Sequence, residues 1–152
     1  MDAMDYFAIQ NLIYKYAALI DQGDLDGVGA MFDHADVYFP GDTEPASRAG
    51  QNTIGLQMRE WTRLYPETGN PRTRHVTTNL LIEADGPGRA KSQCYVVVFQ
   101  STPSFKMQPI IGGTYRDRFA KVDGVWRFAE RRQEMDLFGD LSNHLLQQFG
   151  PA

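Results

Sequence analysis

The chain is poor in cysteine, in long apolar runs and in signals for export. Cys94 is the only cysteine among 152 residues, which excludes an internal disulfide and a metal site built from several cysteines. The longest apolar runs, YAALI and YVVVF, are too short to cross a membrane. The acidic start MDAMDYF lacks the basic and apolar regions of a signal peptide. We therefore expect a cytoplasmic protein that has no membrane partner.

Clustered positive charge and cofactor motifs are also missing. The formal net charge is −4, and no run of Lys and Arg offers the electrostatic footprint that nucleic acid requires. No H-x-H or H-E-x-x-H spacing predicts a metal site, and the glycines do not join a strand to a helix in the manner of nucleotide-binding loops. The sequence also lacks the G-x-S-x-G motif that would predict a nucleophilic serine. We expect no cofactor, no metal and no nucleic-acid partner.

Apolar periodicity divides the chain into a helical first half and a strand-rich second half. Helices are predicted over 5–21, within LDGVGAMF, over 53–65 and, at the end, within LSNHLLQQF. Strands are predicted in DVYF and over 73–83, 90–101, 110–122 and 125–136, the last two joined at the hairpin signal Asp123-Gly124. This order predicts a single α+β domain over residues 1–152, with its helices on one side of a curled antiparallel sheet.

One histidine faces away from the apolar side of its strand. In RTRHVTTNLLIE, alternation places Val76, Thr78, Leu80 and Ile82 on a packing face and His75 on the opposite, polar face. That face could meet solvent or an internal pocket. The other two histidines are weaker candidates, because His34 is expected at a surface turn and His144 lies near the chain end.

Asp21 is a second unusual residue, because it ends the first predicted helix, where the helix dipole disfavours a carboxylate. His75 is its natural partner. An aspartate that accepts one ring N–H of a histidine leaves the other ring nitrogen free to take a proton. The alternatives are a solvated turn aspartate and a structural histidine. A chain with three histidines and nineteen acidic residues will contain some His–carboxylate pairs by chance.

Two adjacent arginines and two tyrosines complete the candidates. Arg131 and Arg132 alternate on the last strand, so one of them must face the helices or an interface, where it needs an anionic partner. A surface salt bridge is the alternative. Tyr16 lies on the apolar stripe of the first helix and Tyr38 on the first strand, where a core role is the alternative for both.

Taken in order, YAALIDQGDLDGVGAMF, RHVTTNLLIE and GGTYRDRFAKVDGVWRFAERR resemble the SnoaL-like family of the nuclear transport factor 2-like superfamily. The resemblance covers about residues 5–138 and is strongest to the branch of scytalone dehydratase and hexachlorocyclohexane dehydrochlorinase. It implies a cystatin-like α+β cone, in which three helices close a curved antiparallel sheet around a pocket. It also implies that Asp21 and His75 form a base dyad.

The same resemblance implies roles for other residues. Arg131 matches an arginine that the dehydrochlorinase uses. Tyr16 replaces its helix lysine, which argues against halide elimination and towards a dehydratase-like or isomerase-like reaction. Tyr16 or Tyr38 would polarise a carbonyl. The second histidine of scytalone dehydratase has no counterpart in SQCYVVVF. The candidate residues lining the pocket are Met58, Trp61, Tyr65, Phe99, Met107 and Tyr115 together with Tyr16.

The favoured function is a cofactor-free, dehydratase-like lyase that acts on a small cyclic or aromatic-like substrate. The alternatives are an isomerase or cyclase using the same base, and a non-catalytic ligand-binding or subunit-assembly module. Apolar residues on both faces of CYVVVF predict a homo-oligomer. The resemblance favours a trimer, with a dimer as the alternative.

Overall fold

The computed structural model describes residues 1–151, which contain three helices and five strands. The helices are α1 (Ala3–Gln22), α2 (Leu25–Met31) and α3 (Ile54–Trp61), and the strands are β1 (Asp36–Tyr38), β2 (Thr73–Ala84), β3 (Arg89–Thr102), β4 (Phe105–Val122) and β5 (Val125–Phe138). Helix α1 packs against β2, β5 and α2, and α2 packs against α3. The predicted α+β class and its three helices are confirmed.

Helix α1 is defined at both ends by local chemistry. Asp2 and Asp5 form a reciprocal capping box at its start, which satisfies backbone N–H groups that have no partner within the helix. At its end, Gly23 adopts φ 82°, and a Cβ there would meet the carbonyl oxygen of Gly69 at 2.1 Å. Only glycine fits that position. Within residues 1–151 no helix is both long and apolar enough to span a membrane.

The five strands form one sheet in the order β1-β5-β4-β3-β2. Strands β2 to β5 are antiparallel, as predicted, whereas β1 pairs with β5 in parallel and makes the sheet mixed. The hairpin between β4 and β5 turns at Asp123 and Gly124, which both adopt positive φ, as the tight turns that suit a twisted hairpin require. The predicted Asp-Gly turn is confirmed.

Register shifts interrupt the pairing of β2 with β3, of β3 with β4 and of β4 with β5. Such bulges bend the strands, and the sheet is curled without closing into a barrel. Its concave face packs against the helices in one hydrophobic core. The predicted cone is therefore confirmed, with the mixed β1–β5 pairing as its one difference.

A bulge in β2 changes which side chains face inward. Between the pairs Thr78–Tyr95 and Leu81–Gln93, β2 carries one extra residue, and Asn79 takes φ 52° there, a conformation that asparagine tolerates. Val76 is 41% exposed, whereas Leu80 and Ile82 pack against the core. The prediction that these residues share one packing face is wrong, because the bulge reverses the alternation.

The C-terminal segment 141–150 forms turns in place of the predicted short helix. It is tied across the wide end of the cone: Leu145 bridges Thr62, and the backbone carbonyl of Asn143 accepts hydrogen bonds from the Tyr65 hydroxyl and from Nε2 of Gln100. Helix α3 consequently ends at Trp61, before the predicted 65. The segment thereby becomes one wall of the interior.

Candidate active site

A cavity of about 380 Å³ lies between the concave face of the sheet, α1, α3 and the C-terminal segment. This volume falls in the range of small-molecule sites. Most of its lining is apolar, including Ile20, Phe39, Met58, Trp61, Val98, Ile111, Met135, Leu141, Leu145 and Phe149. Polar groups enter it at a few positions, chiefly Tyr16, His75, Tyr115, Gln133 and His144.

His75 and Asp21 form a hydrogen-bonded pair at the cavity wall. Nδ1 of His75 lies 2.7 Å from Oδ1 of Asp21, and the His75 backbone N–H donates to Oδ2 at 2.8 Å. The hydroxyl of Thr73 donates to Oδ1 at 2.8 Å. Both side chains are largely buried, with 7% of His75 and 12% of Asp21 exposed. These bonds offset the unfavourable position of a carboxylate at the end of α1.

The ionisation of Asp21 determines the tautomer of His75. Burial acts to raise the pKa of Asp21, but the hydrogen bond and charge of His75, together with the bond from Thr73, outweigh it, and the pKa lies below its usual value. An ionised carboxylate only accepts hydrogen bonds. The proton between the two residues therefore sits on Nδ1 of His75, and Nε2 is the atom that can accept another.

Two buried tyrosines lie beside the cavity. The rings of Tyr16 and Tyr115 meet edge to face with 5.8 Å between their centroids. Burial raises the pKa of both phenols, so they stay protonated as donors. Nε2 of Gln133 lies 3.3 Å from the Tyr16 hydroxyl and donates to it, which leaves the proton of that hydroxyl free for a ligand.

Arg131 lies beneath these tyrosines, outside the cavity lining. It is fully buried, and its Nε and Nη2 atoms both donate to the Asp117 carboxylate at 2.7 Å. Its guanidinium carbon lies 4.2 and 4.3 Å from the ring centroids of Tyr16 and Tyr115. Burial acts to lower the pKa of Arg131, but the Asp117 carboxylate outweighs it and the arginine remains charged. Arg131 thus holds the two rings in place.

Of the residues predicted to form the pocket, five line the cavity: Tyr16, Met58, Trp61, His75 and Tyr115. Asp21 lies behind His75, and it borders a separate surface groove between α1 and β2. Arg131 has the anionic partner expected of an inward-facing arginine, Asp117, but it lies one layer below the cavity surface.

Four other predicted residues lie elsewhere. The ring of Tyr38 stacks on Arg132, with 3.6 Å from its centroid to the guanidinium carbon, because β1 turns Phe39 into the cavity in its place. Tyr65 instead anchors Asn143 in the C-terminal segment. Phe99 alternates with the inward-facing Val98 and faces outward. Met107 is 75% exposed.

Three residues of the site escaped prediction. Gln133 follows Arg131 by two positions on β5, and that spacing could have revealed that it shares the inner face. Asp117 is the cross-strand partner of Arg131, but a bulge at Ala129 shifts the hairpin register and hides the pairing. His144 reaches the cavity because the C-terminal segment folds as turns and not as the predicted short helix.

The His144 side chain is buried, with 8% of the residue exposed, and it lines the cavity that His75 also lines. Within residues 1–151 its Nδ1 atom is buried and has no hydrogen-bond partner. Across the same part of the chain, no group of three or more His, Cys, Asp or Glu side chains is arranged to hold a metal ion.

The curled mixed sheet, three covering helices and interior cavity define an α+β cone of the cystatin-like type. The SnoaL-like domain family matches residues 1–132, and the chain belongs to that family. Among curated protein sequences, none matches the chain significantly.

Solved structures show the same fold at low sequence identity. A nuclear transport factor 2-like protein of Novosphingobium aromaticivorans is 20% identical, with TM-score 0.70 over 87% of this chain and 82% of that one. A candidate scytalone dehydratase of the same organism is 19% identical, with TM-score 0.68 over 90% and 87%. LinA is 20% identical, with TM-score 0.66 over 98% and 95%.

Proposed function

We propose that the protein is a cofactor-independent, dehydratase-like lyase that uses the Asp21–His75 dyad as its base. The substrate would be a small cyclic or aromatic-like molecule. The observation that carries this proposal is the 2.7 Å contact between Asp21 and Nδ1 of His75, made where the histidine ring lines a mostly apolar cavity. The alternatives were a solvated turn aspartate and a purely structural histidine. Neither alternative requires the pair to lie at the wall of an apolar cavity.

In the proposed reaction, Nε2 of His75 removes a proton from a carbon next to a carbonyl. The electron pair of that C–H bond forms an enolate, whose oxygen accepts a hydrogen bond from the Tyr16 hydroxyl. The enolate then expels a hydroxyl from the neighbouring carbon, and the His75 imidazolium returns its proton to the departing oxygen, which leaves as water. Asp21 stabilises the imidazolium between these steps.

Features of the site support dehydration over halide elimination. The position that carries a lysine in hexachlorocyclohexane dehydrochlorinase carries Tyr16 here, a phenol whose buried environment keeps it neutral. A neutral donor suits a developing enolate oxygen. The likeness to LinA and to a candidate scytalone dehydratase supports this fold as one that accommodates such reactions.

The experiment begins with a thermal-shift screen of small cyclic ketones and hydroxyketones against the wild-type protein. Compounds that stabilise the protein are then incubated with it and followed by NMR and mass spectrometry. Loss of one water from a compound, abolished in His75→Ala, is the expected result. A folded His75→Ala variant that retained near-full turnover would rule out the dyad.

The same experiment separates the alternatives. An isomerase or cyclase would convert a stabilising compound without a change in its mass. A non-catalytic binding module would be stabilised by compounds that it leaves unaltered, and His75→Ala would change affinity alone. The surface groove on the far side of Asp21 offers a route by which protons released at the dyad can reach solvent.

A further inference from the structure

His144 is held in place by the backbone around it. Its N–H donates to the carbonyl of Leu141 at 3.0 Å, and its carbonyl accepts the N–H of Arg63 at 2.8 Å. The neighbouring Asn143 carbonyl is bound by Tyr65 and Gln100. The imidazole is therefore presented to the cavity by a segment fixed at several points, although residues 133–152 lie outside the family match.

The imidazole of His144 is uncharged at neutral pH. Burial and, to a smaller extent, the charge of His75 lower its pKa to about 4, against the opposing effect of Asp21. A neutral imidazole carries one N–H donor and one lone pair. Which nitrogen carries the hydrogen decides what His144 can do for a ligand.

The surroundings of the ring favour the hydrogen on Nε2. Nδ1 is enclosed without a partner among the described residues, and an enclosed N–H without an acceptor costs about 1–3 kcal/mol. Nε2 is not enclosed in this way, and the ring borders the cavity. With the hydrogen on Nε2, the donor points where a ligand can accept it.

We propose that His144 is a second catalytic residue, which donates its Nε2–H to the carbonyl oxygen of the substrate while His75 removes the adjacent proton. This role rests on the proposed function. As the C–H bond breaks, its proton passes to Nε2 of His75 and its electron pair forms the carbon–carbon double bond. The electrons of the carbonyl π bond move to the oxygen, which keeps the hydrogen bond from His144; no group is oxidised.

The two histidines are complementary in this arrangement. Asp21 fixes the hydrogen of His75 on Nδ1, which makes Nε2 of His75 an acceptor, whereas His144 offers a donor in the same cavity. A neutral imidazole donor stabilises an enolate oxygen without transferring its proton, a pattern known from enzymes that abstract protons next to carbonyls. The substrate class is thereby narrowed to cyclic compounds that carry a carbonyl or an enolic hydroxyl.

The first test measures recognition of oxygen with two probes of equal ring size, 2-naphthol and naphthalene. The binding affinity of each is measured by calorimetry for the wild type, His144→Phe, His144→Gln and the control His34→Phe, which alters an exposed histidine. We expect His144→Phe to weaken 2-naphthol binding roughly 5- to 30-fold and naphthalene binding little. His144→Gln, which retains an N–H donor, should recover part of the loss, and the control should bind as the wild type does.

Three results of this test would overturn the role of His144. Equal weakening of both probes would show a packing role only. Unchanged binding of both probes would show that His144 does not touch the ligand. A wild type without preference for 2-naphthol over naphthalene would show that no donor faces the ligand.

A second readout separates this inference from the proposed function. The protein is incubated with 2-tetralone in D₂O, and deuterium uptake next to the carbonyl is followed by NMR above the buffer rate. We expect uptake with the wild type, none with His75→Ala, and about 10²-fold slower uptake with His144→Phe. Normal uptake with His144→Phe would overturn the role of His144 alone. Absence of uptake with the wild type would overturn the proposed base and, with it, the catalytic role of His144.

Discussion

Asp21 holds both the backbone and the ring of His75. Its Oδ2 atom accepts the His75 backbone N–H at 2.8 Å, and its Oδ1 atom lies 2.7 Å from Nδ1. One carboxylate thus fixes the position of a strand residue and the orientation of its side chain. The base is arranged before any ligand binds, which is the condition under which a positioned proton acceptor is most effective.

Removing either residue of the Asp21–His75 dyad should abolish most of the protein's turnover. His75→Ala and Asp21→Asn should each lower turnover by roughly 10² to 10⁴-fold. The double variant should lose little more than the worse single variant, because the residues act as one unit. Steady-state kinetics on the substrate found by screening measure both effects. Asp26→Asn is the control, because the Asp26 side chain is 83% exposed. Additive losses in the double variant would contradict the prediction that His75 and Asp21 act as one unit.

Local features of the fold were predictable because their causes lie close together in the chain. The buried stripe of α1 recurs with helical spacing, and the Asp123-Gly124 turn needs two residues that adopt positive φ. Asp21 and His75 could be paired because each is anomalous in its own element. A carboxylate at a helix end and a histidine on a polar strand face both require a partner.

The remaining features depend on bulges and on tertiary packing. One extra residue at Asn79 and another at Ala129 each reverse the alternation of side chains, and no local pattern marks either position. The Ala129 bulge decides that Arg131, and not Arg132, points inward. The irregular C-terminal segment owes its path to contacts with Tyr65 and Gln100, so the place of His144 could not be predicted from local sequence.

The buried pair of Arg131 and Asp117 should contribute strongly to stability. Arg131→Met leaves the Asp117 carboxylate buried without its cation, which should cost about 3–5 kcal/mol in the free energy of unfolding. Urea denaturation measures the change. Arg116→Met is the matched control on the neighbouring strand, since its pair with Glu134 is half exposed and should be worth less than about 1 kcal/mol. Equal losses in the two variants would contradict the prediction.

The outer face of the sheet should carry a homo-oligomer interface. Val76, Val97, Gly112 and Leu137 are register neighbours across four strands, and Leu137 is 64% exposed. An apolar row of this kind usually needs cover. We expect sedimentation at micromolar concentration to show a trimer, or a dimer as the alternative, and Val97→Lys to yield folded monomer. Val125→Lys at the hairpin end is the control, and a monomeric wild type would contradict the prediction.

Acidification should destabilise the protein through His144. The unfolded chain binds a proton at the ordinary histidine pKa of 6.5, whereas the folded chain resists protonation until its pKa of about 4. Between these values the unfolded state binds more protons, so stability is fully present above pH 6.5 and falls as the pH drops towards 4. This difference in pKa between the unfolded and the folded state corresponds to about 3 kcal/mol in the free energy of unfolding.

Urea denaturation at several pH values between 7 and 4 measures this loss in the wild type and in His144→Gln. The variant should lose less stability than the wild type over that span by about the same 3 kcal/mol, whatever its stability at pH 7. Asp21, whose lowered pKa also costs stability in acid, is common to both proteins and cancels in the comparison. His34→Gln, at an exposed position, should follow the wild type. Parallel acid profiles of the wild type and His144→Gln would show that His144 is not held neutral by burial.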